Sequence, residues 1–309
     1  MILKKLILII ASTLLLAVII GKIFDERFKT RWNLVFMTPT DTLVSGTVNY
    51  DILLMGNSRI NFGLNPYYFD SILNAKTYNF SLAGMDAEHF LTISQLYLSR
   101  RTAPKIVCIG LDEYSYMDRF PGQTLYPYLL YANNKHINNY LTRNGFPMQA
   151  IEYLPFLKYA YMDEYYRSSI FTKERPLPRF RHNIYGGFMN IEDGKNLRSA
   201  RYNSEEETTN ISYKSTEWIE QLLKKYSSEQ IKVVFIYPPQ LNENGVSQKK
   251  FLDILDTELV KLKTKYLFSI LNCRDTIPRN YFVDQVHLNE PGTQIFSEYV
   301  AGYLKDKAY

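Results

Sequence analysis

Residues 50–59 read YDILLMGNSR, and this stretch decides the fold class that we predict. Residues 50–55 form a short, mostly apolar run that ends at Gly56, which is typical of a buried parallel strand. Similar strand candidates follow at residues 75–80, 105–111, 231–237 and 267–272, and helical patterns at residues 86–101, 215–226, 248–263 and 291–304. Because strands alternate with helices, the sequence predicts an α/β protein with a central, mainly parallel sheet and helices on both faces.

The stretch from about residue 114 to 210 interrupts this alternation and is rich in proline and tyrosine. It is too long for an ordinary connection between a strand and a helix. We therefore predict an insertion that caps the edge of the sheet, within one domain that spans residues 50–309. The tyrosine rings of such a cap could stack on sugar faces.

Residues 6–20 read LILIIASTLLLAVII and carry no charge, while Lys4 and Lys5 precede them. With the apolar residues that follow, the segment reaches the lower limit for a membrane span, roughly 17 residues. No small-residue cleavage pattern closes it. We therefore predict that residues 1–24 form an uncleaved signal anchor, a single pass through the cytoplasmic membrane, with a polar stalk at 25–49 and the remaining chain outside. The alternative, a buried core helix, is less consistent with a segment that lacks a polar face.

The composition excludes several classes of protein. With 46% hydrophobic and 22% charged residues, the chain is neither disordered nor fibrous. A net charge of +5 gives no indication of a nucleic-acid partner. Cys108 and Cys273 cannot build a disulfide framework and lack metal-ligand spacing. The chain also has no glycine-rich dinucleotide motif and no P-loop. We therefore expect no metal and no cofactor.

Three short segments fall at the predicted carboxyl ends of strands, where α/β folds place their sites. Ser58 follows the first strand and could offer a nucleophilic hydroxyl, with its own N–H as an oxyanion donor. Gly84, in the loop after the second strand, could supply a second N–H. Asp284 precedes His287 by three residues, so that it could orient the imidazole. His287 could then accept the serine proton and return it to the leaving group.

Together these segments resemble the SGNH/GDSL hydrolase superfamily of serine esterases and acyltransferases, from about residue 50 to the C-terminus apart from the insertion. The resemblance implies a three-layer α/β/α, flavodoxin-like fold, with Ser58 as the nucleophile and Gly84 as an oxyanion donor. Where the superfamily normally has Gly-Asp-Ser, this chain has Gly56-Asn57-Ser58. That form is similar to membrane-anchored members that act in cell-envelope polymer acylation, such as the D-alanyl-transfer proteins of teichoic acid synthesis.

One block departs from the family pattern. The third block, Gly-x-Asn-Asp, aligns best with residues 110–113, where Asp112 replaces the asparagine that would donate to the oxyanion. An ionised Asp112 would repel the developing negative charge, and loss of one such donor costs roughly 10²–10³ in rate. The site could instead use the backbone donors of Ser58 and Gly84, helped by Arg59, or it could be inactive. Asp112 could also contact an acceptor hydroxyl or pair with a basic residue.

We therefore expect an extracytoplasmic, membrane-anchored serine esterase or O-acyltransferase that acts on a cell-envelope polysaccharide or teichoic-type polymer through Ser58, His287 and Asp284. The partners that this implies are the membrane, the polymer or an acylated glycan, and a membrane-bound O-acyltransferase. The alternative is a catalytically degenerate accessory protein that binds the polymer or scaffolds such an O-acyltransferase. Asp112 is the residue that favours this alternative.

Overall fold

The computed structural model describes residues 2–32, 37–112, 115, 125–154, 156–162, 180–181, 186, 188, 190–191, 213–241 and 245–307. The chain divides into two compact units. One comprises residues 1–41 and 122–178, and the other comprises residues 42–121 and 179–309. The second unit contains the predicted sheet, whereas the central part of the predicted insertion groups with the N-terminal helix.

Seven strands are described, in chain order: β1 (Ile52–Met55), β2 (Thr77–Asn79), β3 (Ile106–Gly110), β4 (Phe180–Arg181), β5 (Asn190–Ile191), β6 (Lys232–Tyr237) and β7 (Ser269–Asn272). Five of them form a parallel sheet in the order β2-β1-β3-β6-β7. Numbered within the sheet, this is the 2-1-3-4-5 order of flavodoxin-like folds. The predicted α/β architecture with a parallel sheet is thus confirmed. Strands β4 and β5 form a separate antiparallel pair.

The described helices are, in chain order, α1 (Ile2–Trp32), α2 (Met37–Ser45), α3 (Ser58–Asn61), α4 (Pro66–Leu73), α5 (Ala87–Leu98), α6 (Tyr126–Leu129), α7 (Lys135–Arg143), α8 (Met148–Tyr153), α9 (Leu157–Ala160), α10 (Tyr213–Ser228), α11 (Gly245–Lys263) and α12 (Glu290–Lys307), with a 3₁₀ turn at Arg279–Tyr281. The four helices predicted from periodicity correspond to α5, α10, α11 and α12. The short helices α2–α4 and α6–α9 were not predicted.

Helices cover both faces of the sheet because its strands are apolar on both sides. On one face, α4 and α12 pack together over alternate residues of the strands, among them Ile52, Leu54 and Val234. The intervening residues, such as Leu53 and Phe235, are equally buried and point to the opposite face. There α5 packs against α10, and Ser94 of α5 reaches Met55. The result is the three-layer arrangement that positions the strand ends.

Polar side chains cap the N-termini of α4 and α5. The Asn65 side chain accepts a hydrogen bond from the Tyr67 amide, and Pro66 occupies the first turn of α4. The Asp86 carboxylate accepts from the His89 amide at the start of α5. Each cap satisfies an amide that has no partner within its helix. These caps set where the chain turns between a strand and the following helix.

In the unit that contains the N-terminus, α1 is the one helix among the described residues long and apolar enough to cross a membrane, from Ile2 to Lys29. Residues 25–49, which we expected to be a polar stalk, are largely helical, since α1 continues to Trp32 and α2 follows. Phe28 of α1 is fully buried and its ring stacks on Tyr159 of α9 at 5.2 Å. Much of the predicted insertion at 114–210 lies outside the described residues.

Candidate active site

Ser58 begins α3 directly after β1, in a turn that the Gly56-Asn57 pair shapes. The Asn57 side chain caps the helix by accepting from the Arg59 amide at 3.0 Å. A Cβ on Gly56 would lie 2.4 Å from the Ile60 side chain, and one on Gly110, at the end of β3, would lie 2.1 Å from it. Ile60 therefore occupies space that is open only because positions 56 and 110 are glycines. This contact holds α3 close to the ends of β1 and β3.

The end of β1 next to the end of β3 is a distinctive point in the sheet. From β1 the chain goes to one side, to β2, and then returns to β3 on the other side. Ligands of open α/β sheets bind in the crevice that opens at such a switch point, outside the carboxyl ends of the strands. Ser58 follows β1 and Asp112 follows β3. The fold therefore places both predicted site residues beside the expected crevice.

His287 lies in a loop that closes on itself before α12. Phe282 and Leu288 form an antiparallel bridge, and the Val283 amide donates to the His287 carbonyl at 2.9 Å. The loop is narrow, and Asp284 and His287 lie close together within it. At its end, the Asn289 side chain accepts from the Gly292 amide at 3.0 Å and caps α12.

Two buried hydrogen bonds attach α12 to the segment that follows α3. The Thr293 hydroxyl donates to the Phe62 carbonyl at 2.9 Å. The Ser297 hydroxyl accepts from the Asn65 amide, also at 2.9 Å. These bonds join residues more than two hundred positions apart in sequence. They bring the loop that precedes α12 to the serine turn.

The structure brings Ser58, His287 and Asp284 into one chain of hydrogen bonds. The distance from Ser58 Oγ to His287 Nε2 is 2.9 Å, and the distance from His287 Nδ1 to Asp284 Oδ2 is 2.8 Å. The other carboxylate oxygen, Oδ1, accepts from the amides of Val286 and His287 at 2.9 and 2.8 Å. The edge of the Phe62 ring contacts the imidazole, with 5.6 Å between centroids. The imidazole orientation is thus fixed on three sides.

The protonation of Asp284 determines which imidazole nitrogen carries the proton. Partial burial acts to raise the pKa of Asp284, but the hydrogen bond from His287, its charge and the two amide donors outweigh this, so the pKa lies below its ordinary value. An ionised carboxylate can only accept hydrogen bonds. His287 Nδ1 must therefore donate to it, and in the neutral form of the imidazole Nε2 can accept from the Ser58 hydroxyl.

The loop that contains Gly84 lies next to the serine turn. The Leu82 amide donates to the Gly56 carbonyl at 3.2 Å. Gly84 itself is exposed and has a positive φ of 78°, a conformation that glycine adopts without strain. The loop is therefore adjacent to Ser58 and open to solvent at Gly84. The role of the Gly84 N–H as an oxyanion donor stays a prediction.

Asp112 pairs with a basic residue, which was one of the alternatives that the sequence left open. Its side chain is only 3% exposed and lies 3.5 Å from Nη1 of Arg59, which is equally buried. The same carboxylate accepts a short hydrogen bond from the Asn57 side chain, and its other oxygen accepts from the amide and hydroxyl of Ser115, both at 3.2 Å. The negative charge of Asp112 is thus offset by a guanidinium beside it.

Arg59 links the serine turn to the chain that follows β6. Its Nη2 donates to the carbonyls of Pro238 and Pro239, at 3.0 and 3.1 Å, and to the Gln240 side chain at 2.9 Å. All of these residues follow β6 in sequence. The guanidinium is buried among these acceptors. Arg59 therefore joins the end of β6 to α3, and its help to the oxyanion stays a prediction.

Sequence reasoning missed a set of buried amide side chains between α3 and β2. The Asn79 side chain donates to the carbonyls of Ile60 and Leu64 and accepts from the Ser81 amide, all within 3.0 Å. The Asn61 side chain donates to the Ser81 carbonyl at 2.8 Å. An asparagine at the end of a buried strand is unusual enough to have signalled such a role. These contacts fix the loop of residues 81–84 relative to α3.

Chemically, the arrangement provides a hydroxyl whose proton can pass to a correctly oriented neutral imidazole. Such a pair can act as an activated nucleophile, and the adjacent carboxylate can stabilise the imidazolium that forms. Among the described residues, no group of histidine, cysteine, aspartate or glutamate side chains is arranged to hold a metal ion.

Comparison with known proteins gave matches in structure alone. No family model matches the chain, and no curated protein matches it in sequence. A protein from Streptococcus pneumonia, provisionally described as a platelet activating factor, aligns over 99% of both chains with 11% identity and a TM-score of 0.45. A GDSL-like lipase from Bacteroides thetaiotaomicron aligns over 82% of this chain and 87% of its own, with 11% identity and a TM-score of 0.38. A protein from Desulfitobacterium hafniense, provisionally assigned to the lipolytic G-D-S-L family, aligns over 82% and 99%, with 11% identity and a TM-score of 0.41. At these low scores, we draw no conclusion about activity from the likeness.

Proposed function

We propose that this protein is a serine esterase or O-acyltransferase of the SGNH/GDSL type, with Ser58 as the nucleophile. The observation that carries the proposal is the hydrogen-bonded chain from Ser58 Oγ through His287 to Asp284, with distances of 2.9 and 2.8 Å. A structural serine in a turn needs no imidazole at its hydroxyl, and the imidazole here is itself oriented by a carboxylate. This is the relation of nucleophile, base and orienting acid that acyl transfer requires.

In the proposed reaction, Ser58 Oγ attacks the carbonyl carbon of an acyl ester while its proton passes to His287 Nε2. The tetrahedral intermediate collapses, the bond to the leaving alkoxide breaks, and that alkoxide takes the proton from Nε2. The acyl group is then bound to Ser58 as an ester. Asp284 stabilises the imidazolium in both transfers, and the N–H groups of Ser58 and Gly84 are the proposed oxyanion donors.

The acyl-enzyme can be resolved by water, which gives hydrolysis, or by a sugar hydroxyl, which gives transfer. We propose a cell-envelope polysaccharide or teichoic-type polymer as the substrate or acceptor. The support for this is the Gly56-Asn57-Ser58 sequence together with the apolar helix α1. In this proposal, α1 anchors the protein in the cytoplasmic membrane with the site outside, and a membrane-bound O-acyltransferase is a candidate partner. Protease treatment of intact spheroplasts tests the orientation, because an external domain would be degraded.

The competing proposal is an accessory protein without catalytic activity. Its support was the replacement of asparagine by Asp112, whose charge would repel an oxyanion. The ion pair with Arg59 weakens that support, because the pair as a whole carries no net charge. The accessory role is therefore kept as an outcome of the experiment below.

The decisive experiment is covalent labelling of the full chain with a fluorophosphonate, which reacts with activated serines. We expect Ser58→Ala to abolish labelling and His287→Ala to reduce it strongly. The matched controls are Ser228→Ala, an exposed serine at the end of α10, and His136→Ala, at the start of α7. Both controls should label like the unmodified protein.

Labelling that persists in Ser58→Ala would overturn the proposed nucleophile. If the folded, unmodified protein does not label at all, the accessory role is favoured. Polymer acylation measured in cells then separates the two proposals, because an accessory protein would retain its effect when Ser58 is replaced by alanine.

A further inference from the structure

The end of α1 can be placed relative to the membrane from its length. From residue 6 to residue 25 the helix rises about 30 Å, at 1.5 Å per residue, which matches the thickness of the hydrocarbon core. Residues 6–20 carry no charge, and Lys22 has a stem long enough to bring its ammonium to the lipid headgroups. If α1 spans the membrane as proposed above, residues 21–25 therefore lie at the boundary between hydrocarbon and headgroups.

Helix α9 contacts α1 at this level, within the same compact unit. The Tyr159 hydroxyl reaches the Gly21 carbonyl at 3.1 Å and the Asp25 carboxylate at 2.5 Å. Lys158 forms an ion pair with the same carboxylate at 2.5 Å. These contacts satisfy the first acidic group that follows the apolar segment. They also place α9 beside the membrane boundary.

The segment around α9 exposes large apolar and aromatic side chains. Residues 153–161 read YLPFLKYAY, and the single charged side chain in this segment, Lys158, is paired with Asp25. Tyr153 is 82% exposed and Leu154 is 53% exposed. We call the exposed side chains of this segment the aromatic patch; they are Tyr153, Leu154, Phe156 and Tyr161.

Scattered exposed apolar residues are ordinary, but a contiguous group marks an interaction surface. The aromatic patch is continuous with α1, since the edge of the Phe156 ring packs against Phe24 with 6.2 Å between centroids. Tyrosine rings are enriched where a protein crosses from hydrocarbon to headgroups, because their bodies are apolar and their hydroxyls polar. A surface of this composition, attached at this depth, fits a lipid bilayer.

We propose that the aromatic patch is a lipid-binding surface that inserts into the headgroup region of the membrane that α1 enters. The inference rests on the proposed anchoring of α1, but not on which side of the membrane the chain lies. It gives this unit two separate contacts with the bilayer. A single helix can rotate about its own axis, whereas a helix with a second, lateral contact cannot, so the patch would fix the orientation of the unit at the membrane surface.

The experiment measures how deeply spin labels lie in the membrane. Cys108 and Cys273 are free and buried, and burial raises the pKa of each thiol to about 12, so neither competes for the label. Single cysteines are introduced as Tyr153→Cys and Leu154→Cys, and the full chain is reconstituted into vesicles of phosphatidylcholine and phosphatidylglycerol. For each label, collisions with oxygen, which concentrates in lipid, are compared with collisions with a water-soluble nickel chelate.

Two further positions calibrate the measurement. Leu15→Cys reports the middle of α1, where the native side chain is 62% exposed, and Leu267→Cys reports a 96% exposed apolar side chain beyond the end of α11. We expect the ratio of oxygen to nickel collisions at 153 and 154 to lie several-fold above that at 267 and below that at 15. The protein without introduced cysteines, treated with the same spin label, gives the background signal.

The outcomes separate the two proposals. A lipid-like ratio at 15 with a water-like ratio at 153 and 154 overturns the aromatic patch and leaves the anchor intact. A water-like ratio at 15 overturns the anchor and the patch with it. If the labels at 153 and 154 are protected from the nickel chelate in native membranes but not in vesicles, the patch contacts a protein partner. If this protection disappears when each vesicle holds one protein, the patch contacts a second copy. Either result would overturn lipid as the occupant.

Discussion

Arg59 and Asp112 form an ion pair with both side chains 3% exposed, and Arg59 directly follows the serine that bonds to His287. Arg59 lies in α3, which follows β1, and Asp112 lies just after β3. Removing both charges from water is costly, and their attraction repays this only while both are present. The pair therefore makes the position of the serine turn depend on a residue more than fifty positions away.

We expect the pair to show strong coupling in a double-mutant cycle. Arg59→Met leaves Asp112 buried without its partner and should lower the free energy of unfolding by about 3–5 kcal/mol, and Asp112→Leu should act similarly. The double variant should cost clearly less than the sum of the two. Unfolding of the full chain in detergent measures all four proteins. Additive effects would contradict the interpretation that the two charges compensate each other.

Asp284 should matter more for the reaction than for the position of its neighbours. Asp284→Asn retains the size of the side chain but removes the charge that stabilises the imidazolium and fixes the proton on Nδ1. We expect esterase turnover to fall by about 10⁴-fold, as in other serine–histidine–aspartate sites. Initial rates with a chromogenic ester check this, and Asp275→Asn, in the turn after β7, is the control. A loss below tenfold would contradict the role of Asp284.

The stability that Asp284 supplies should depend on pH. Because the folded state lowers its pKa below the ordinary value of 3.8, the ionised carboxylate favours folding. This contribution is complete at a pH above the ordinary pKa and is lost as the pH falls through the lowered pKa. We therefore expect the difference in melting temperature between the unmodified protein and Asp284→Asn to be constant near neutrality and to shrink below about pH 4. A difference that grows on acidification would contradict the sign of the shift.

The contact of Gly110 with Ile60 predicts a steric effect on the site. A Cβ at position 110 would lie 2.1 Å from Ile60, so Gly110→Ala must displace α3 or the isoleucine, at a cost of about 1–3 kcal/mol. Fluorophosphonate labelling should fall in parallel, because Ser58 lies on the same short helix. Ile60→Ala, which removes the clashing Cγ1 and Cδ1 atoms, should restore part of the labelling in the Gly110→Ala background.

Gly302→Ala is the matched control for this substitution. Gly302 lies within α12 with no atom within 4 Å of the position that a Cβ would take, so alanine there should be neutral or stabilise the helix by about 0.5–1 kcal/mol. If Gly110→Ala behaves like Gly302→Ala, the close packing at Ile60 does not position the serine.

The strands and the long helices could be predicted because their signals are local. Five apolar runs give the five parallel strands to within a few residues, and Asp284 and His287 are close enough in sequence to suggest one loop. The relation between Ser58 and His287 depends instead on the tertiary attachment of α12. The expected position of parallel strand ends and the resemblance to the SGNH/GDSL hydrolases linked these two residues in advance.

Other features have no local signal. That Asp112 pairs with a basic residue could be stated only as one alternative, and Arg59 could not be identified as that residue, because nothing in either segment indicates the other. The attachment of α9 to α1 joins a tyrosine and a lysine to Asp25 across more than 130 positions, within a segment that periodicity does not order. Long-range polar contacts of this kind depend on the packed structure, whereas sequence patterns report the faces of single elements.

The bonds of α12 to Phe62 and Asn65 have a consequence for biosynthesis. Ser58 is synthesised early, but the imidazole that hydrogen-bonds to it belongs to a loop that is placed only when α12 docks. In a nascent chain that lacks α12, the Ser58 hydroxyl therefore has no imidazole beside it. If Ser58 is the nucleophile proposed above, its activation therefore has to wait until α12 has been synthesised and has docked.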